Sequence, residues 1–173
     1  MISDKLLNEI DRGRQGLNHG ISMKLPKLES IIDGVTRETY TLILSNSGAG
    51  KTSFALYAYV YRPLMEHLDD DDFKVLYFSL EMGEVALYIK LLSIYIFETY
   101  GIQLSFKKIL SREKEYILSD EHYDLVKQCM PWIDKISKKL EIYDKKVTPK
   151  KVYAILKTRL EEMGTFSESE TRL

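Results

Sequence analysis

Ser45-Asn46-Ser47-Gly48-Ala49-Gly50-Lys51-Thr52 joins the end of one apolar run, Tyr40 to Leu44, to the start of another, Phe54 to Tyr61. A strand, a glycine-rich turn and a helix in that order are the setting of a phosphate-binding loop. Glycine at 48 and 50 lets successive backbone N–H groups turn inward around a polyphosphate without a Cβ in the way. Lys51 supplies a mobile positive charge for the outer phosphates. Thr52 offers a hydroxyl to the magnesium that accompanies a nucleotide, and the helix start adds its partial positive charge to the same pocket. The candidate nucleotide-binding residues are Ser45, Asn46, Ser47, Gly48, Ala49, Gly50, Lys51, Thr52 and Ser53. Ser45 stands where the usual pattern opens with glycine.

Composition frames this loop. The chain has 173 residues, 45% of them hydrophobic and 29% charged, which suits one globular domain with a substantial core. Its 25 basic and 26 acidic residues nearly cancel, so no global field announces a nucleic-acid or membrane partner. Locally the balance is uneven. Residues 131 to 160 carry nine Lys or Arg against Asp134, Glu141 and Asp144, whereas Asp69 to Asp72 is a run of four acids. Solvated faces are the simpler reading of both. Cys129 is the only cysteine, which excludes an intrachain disulfide or a cysteine metal cluster. Asp4, Lys5 and Glu9 interrupt the N-terminal apolar residues, unlike a signal peptide, so a reducing, cytoplasmic setting is expected. The most apolar stretch, Leu91 to Phe97, is far short of the ~20 residues that span a bilayer.

Strand and helix patterns alternate along the chain. Residues 3 to 12 read as a short amphipathic helix with Leu6, Leu7 and Ile10 on one face and Ser3 as its cap, followed by a glycine-punctuated hinge to Gly20. Pro26 to Ile32 reads as a helix that Asp33-Gly34 ends, and Thr39 to Ser45 as a buried strand. Pro63 should kink or end the helix after the loop. A second buried strand, Lys74 to Ser79, leads to a long helix from Gly83 to Tyr100, then a helical region over Ser119 to Lys139 and a short strand, Leu140 to Tyr143. Thr148-Pro149 caps a last helix whose apolar stripe is Val152, Ile155, Leu156 and Leu160. This order predicts an α/β domain, a parallel sheet with helices on both faces. Its divisions are a linker helix and hinge over 1–20, the domain over 21–163 and a polar tail over 164–173.

Glu81, in Phe78-Ser79-Leu80-Glu81-Met82, follows the second strand. Ligand chemistry in open parallel sheets gathers at the carboxyl ends of strands, so Glu81 is placed to orient and deprotonate an attacking water. A Glu just past a strand also serves as a helix cap or a solvated residue. The residue alone leaves both readings open.

Three stretches together resemble the DnaB-like replicative helicases of bacteria and their phages, a branch of the RecA-like P-loop ATPases. They are Gly20-Ile21-Ser22 through Leu25-Pro26-Lys27-Leu28, the run Ser47 to Leu56, and Val75 to Met82. Weaker similarity continues through Leu118 to Glu121 and Leu140 to Asp144, so about residues 2 to 163 are covered. The family's phosphate loop often lacks the first glycine, as at Ser45. The resemblance implies ATP and magnesium as cofactors, with Lys51 and Thr52 on the phosphates and the metal, and Glu81 as the catalytic base. It also implies a homo-oligomeric, hexameric ring in which the linker helix within residues 1–16 packs on a neighbouring subunit, and single-stranded DNA as partner, with no membrane.

The family's next elements are a strand ending in the Walker B Asp, DNA-gripping loops and an arginine that reaches a neighbour's nucleotide. Met163 to Leu173 does not supply them, so the chain is expected to be the truncated amino-terminal portion of a motor and a weak ATPase by itself. Two other classes compete. Another RecA-like ATPase or assembly module in recombination lacks the Ser-Leu-Glu-Met and Gly-Ile-Ser elements, and a small-molecule phosphotransferase needs a lid with arginines, where residues 101 to 130 offer only Arg112.

Overall fold

The computed structural model describes residues 1–36 and 38–164. Most of the expected tail, 165–173, lies outside them. Among the described residues, nine α-helical segments and two strands follow in the order α1 (Ile2–Arg14), α2 (Pro26–Glu29), α3 (Lys51–Ala55), α4 (Arg62–Glu66), β1 (Val75–Phe78), α5 (Glu84–Tyr100), α6 (Phe106–Ile109), α7 (Asp120–Gln128), α8 (Met130–Ser137), β2 (Leu140–Tyr143) and α9 (Pro149–Glu162). Mixed helix and strand with a parallel pair is an α/β arrangement. β1 and β2 pair in parallel, Val75 opposite Leu140 and Phe78 opposite Tyr143, with the helices α5 to α8 as the crossover between them.

Alternation sorts the two strands' side chains between faces. Val75, Tyr77, Leu140 and Ile142 join the main core, whereas Phe78 stacks on Tyr143 at 4.8 Å and Glu141 pairs with Arg159 of α9 on the other face. All four β1 residues are half-buried, so this small sheet is less enclosed than expected of one covered by helices on both faces.

The core lies between helices. Leu56, Val60, Tyr61 and Leu64 meet Leu87 and Leu91 of α5 and Trp132 and Ile136 of α8, and Trp132 stacks on Tyr95 at 4.0 Å. A second cluster gathers Leu92, Ile96, Leu104 and Cys129. Helix α5 is framed by glycines, Gly83 in extended conformation at its start and Gly101 left-handed at its end.

Several expectations need correction. Ser3 lies inside α1, which starts at Ile2, and the Met1 amino group bonds Asp4 at 2.7 Å in place of a serine cap. Gly20 is no hinge: its N–H donates to the Asp33 carbonyl at 3.0 Å, and a Cβ there would stand 2.3 Å from that oxygen. Ile21 bridges Val35 antiparallel, so the Gly20 and Gly34 backbones close together. The helix from Pro26 stops at Glu29, and Asp33-Gly34 follows as a turn with Gly34 at φ 77°.

Thr39 to Ser45 is not a strand and not buried. Tyr40 is 86% and Leu44 80% exposed, and among the described residues the sheet consists of β1 and β2, with no strand paired to Tyr40–Leu44. Pro63 does not end its helix. Leu56–Tyr61 forms a π-helical segment between α3 and α4, and the wider turn absorbs the proline's missing N–H and its ring. The expected helical region over 119–139 consists of two helices, because Pro131 at the start of α8 cannot continue the bonding of α7 across Cys129. Thr148 is a cap as expected, accepting from the Lys151 N–H, and Ser119 caps α7 in the same way from the His122 N–H. Among the described residues, no helix is long and apolar enough to cross a membrane.

Candidate functional site

The loop from Ser45 to Gly50 is exposed and hands over directly to α3 at Lys51. Gly48 and Gly50 both sit in left-handed conformation, φ 80° and 89°, with open space where a Cβ would project. Backbone conformation, not crowding, is therefore what demands glycine here. Gly50 is the residue that caps α3, and the first amides of that helix, from Lys51 to Ser53, are donors with no intrahelical acceptor.

Lys51 folds back over the loop. Its Nζ donates to the carbonyl oxygens of Ser45 at 2.8 Å and Asn46 at 3.0 Å, and the Ala49 N–H closes the turn onto Asn46 at 3.3 Å. A cation resting on two neutral carbonyls, with helix amides beside it, is poised for an anion: a phosphate accepts from the ammonium far more strongly than a carbonyl does. Thr52 is half-buried and Ser53 exposed at the start of the helix. Below them Leu56, Val60 and Leu64, each 1–2% exposed, anchor the rod that carries the loop.

Glu81 stands past the end of β1, exposed, between Ser79 and the start of α5. The Ser79 hydroxyl accepts from the Met82 N–H at 3.1 Å and donates to the Met82 carbonyl at 2.6 Å, a clasp that fixes the turn holding Glu81. The charge of Glu81 adds to burial in raising the Tyr77 hydroxyl above its ordinary pKa. Among the described residues no hydrogen bond or ion pair joins Glu81 to Lys51 or the loop. The structure thus assembles Ser45 to Ser53 as one unit and leaves Glu81 apart from it, on the carboxyl edge of the strands.

Asp144 shares that edge and was missed as a structural residue. Its Oδ2 accepts from the Glu84 N–H at 3.1 Å, capping α5 from the end of β2. Its place after a short apolar run was the sequence signal for a strand end, but the long-range partner leaves no trace in spacing. A second missed group joins Tyr57, Arg62 and Glu98. The Tyr57 hydroxyl lies 3.5 Å from one Glu98 oxygen and Arg62 Nη1 3.8 Å from the other, while Arg62 Nε is buried with no hydrogen-bond partner among the described residues. Burial, then the charge of Glu98, pushes the neighbouring Tyr61 hydroxyl up to about 12. Among the described residues no cluster of three or more His, Cys, Asp or Glu is arranged to hold a metal.

No family model matches this chain, and neither a curated protein nor a solved structure matches it.

Proposed function

We propose that the chain is the ATP-binding portion of a RecA-like, DnaB-like ring helicase that couples ATP hydrolysis to unwinding of DNA. The observation that carries this reading is the loop: left-handed Gly48 and Gly50, a helix starting at Lys51, and the Lys51 ammonium held by the carbonyls of Ser45 and Asn46. Backbone amides from Ser47 to Thr52 cradle the phosphates, and Lys51 leaves its two carbonyls to bind the outer ones. The Thr52 hydroxyl contributes to holding magnesium, which neutralises phosphate charge when bound. Glu81 receives a proton from the attacking water once the loop and the strand edge close on a nucleotide.

Residues 1–16 fit the role of a linker that packs on an adjacent copy. None of the residues of α1 is buried, and Leu6, Leu7 and Ile10 are 50–61% exposed on its apolar face. Single-stranded DNA is the proposed substrate track of the assembled ring.

The test is ATP turnover by the assembled motor with and without single-stranded DNA. Glu81→Gln is expected to lower turnover by roughly 100-fold or more, leaving nucleotide affinity and melting temperature nearly unchanged. Normal turnover in that variant removes Glu81 from the chemistry. A large loss of stability makes it a structural residue instead.

A further inference from the structure

The amino-terminal ends of β1 and β2 lie side by side, opposite the edge that carries Glu81 and Asp144, and each is preceded by a lysine, Lys74 and Lys139. Lys135 and Lys138 come from the last turn and C-cap of α8, where the helix dipole favours cations. The acidic run folds over this group. Together they line a cavity of about 420 Å³ walled by Lys74, Lys135, Lys138, Lys139, Asp69 and Asp71.

We propose that this lysine cavity binds phosphate-ester anions, with the backbone of single-stranded nucleic acid as its occupant, and that Asp69 to Asp72 is its built-in competitor. One of the cations, Lys139, is held by the fold, whereas Lys135 and Lys138 are exposed beside it. The Lys139 side chain is 9% exposed, and its Nζ donates to the Asp70 carbonyl and lies 3.9 Å from Asp71 Oδ1. Lys135 Nζ bonds Asp69 Oδ1 at 2.6 Å, yet Asp69 is 90% exposed and Asp71 fully so. Lys74 lies 3.9 Å from Glu141, and Lys138 has no carboxylate partner among the described residues.

Exposed ion pairs of this kind hold weakly, so an external anion displaces them readily. Each phosphate that replaces a carboxylate also releases counterions from the nucleic acid, a gain no internal aspartate can match. The lining has ammonium groups and no guanidinium fork or aromatic ring, which suits contact with the sugar-phosphate backbone without stacking or base readout. The proposal rests on this charge and geometry, independently of the phosphate loop.

Binding of fluorescent oligothymidylate by the intact chain, followed by anisotropy across a salt series, tests it. Lys135→Glu with Lys138→Glu is expected to weaken binding at least about tenfold and to flatten the salt dependence, while Asp69→Asn with Asp71→Asn strengthens binding by about as much. Circular dichroism accompanies each variant; should the lysine pair fail to fold, the exposed aspartate pair decides alone. Unchanged affinity in the aspartate pair overturns the proposal, as does oligoglutamate competing as well as the oligonucleotide, which would mark a protein-docking face. Lys51→Ala should bind like the parent chain. A loss there would assign the oligonucleotide to the phosphate loop and overturn the cavity as its site.

Discussion

Two apolar stretches of similar composition flank the phosphate loop and end in opposite states. Downstream, Leu56, Ala58, Val60 and Tyr61 are 0–2% exposed, while upstream Tyr40, Leu42 and Leu44 are 63–86% exposed. The difference is hydrogen bonding before it is hydrophobicity. A helix satisfies its backbone within the segment, so Lys51 to Glu66 needs only a packing partner, and α5 and α8 provide one. A strand needs a neighbour for every second backbone group, and β1 pairs with β2 while Tyr40 to Leu44 has no paired strand among the described residues. Apolar sequence alone therefore specified a buried helix on one side of the loop and not a buried strand on the other.

The largest expected effect separates these two regions. Leu91→Ala, at a fully buried core position, should cost about 2–5 kcal/mol, and Leu42→Ala no more than about 0.5 kcal/mol, in urea unfolding of the two variants. Equal losses would mean that residue 42 is packed after all and would break the comparison. A smaller contrast uses glycine. Gly34 has φ 77°, and a Cβ there would meet the Ile21 carbonyl at 2.4 Å, whereas Gly48 has φ 80° with open space around it. Gly34→Ala should lose roughly 2–3 kcal/mol and Gly48→Ala about 1 kcal/mol, because the second is charged only for its backbone conformation. Thermal melts that rank them the other way would place the tight turn at the loop.

The core side of the comparison also has a pH signature. An unfolded tyrosine ionises near 10, and the Tyr61 hydroxyl is pushed up to about 12, burial being the main cause. Between those values the unfolded chain loses a proton that the folded chain keeps. Stability present below pH 10 is therefore lost as pH rises toward 12, by on the order of 2 kcal/mol for this group. Burial raises Tyr57, Tyr77 and Tyr88 in the same direction. Denaturant titrations at pH 9 to 11.5 on the parent and Tyr61→Phe should show a shallower fall in the variant, and identical slopes would contradict the core placement of that hydroxyl.

What was legible in the sequence was what is local. The turn of Gly48 and Gly50, the start of a helix at Lys51, the cap at Thr148, the strands near 75 and 140 and the long helix ending at Gly101 all follow from residues within a few positions of one another. What was not legible depends on distant partners. The π-helical turn that accommodates Pro63, the Gly20 backbone locked against Asp33, and the Asp144 cap on α5 each join residues or registers that no spacing announces. The candidate site divides along the same line: Ser45 to Ser53 is contiguous in sequence and in space, and Glu81 stands apart from it past the end of β1.

The loop's claim to be a phosphate site is tested most directly by calorimetric titration of ATP with magnesium into the parent chain and into Lys51→Ala. Removing the ammonium that bridges the Ser45 and Asn46 carbonyls is predicted to weaken binding by about tenfold or more, as befits the loss of a charge-assisted contact to phosphate. Equal affinities for the two chains would contradict the account and make the glycine-rich turn a connection between two segments and nothing more.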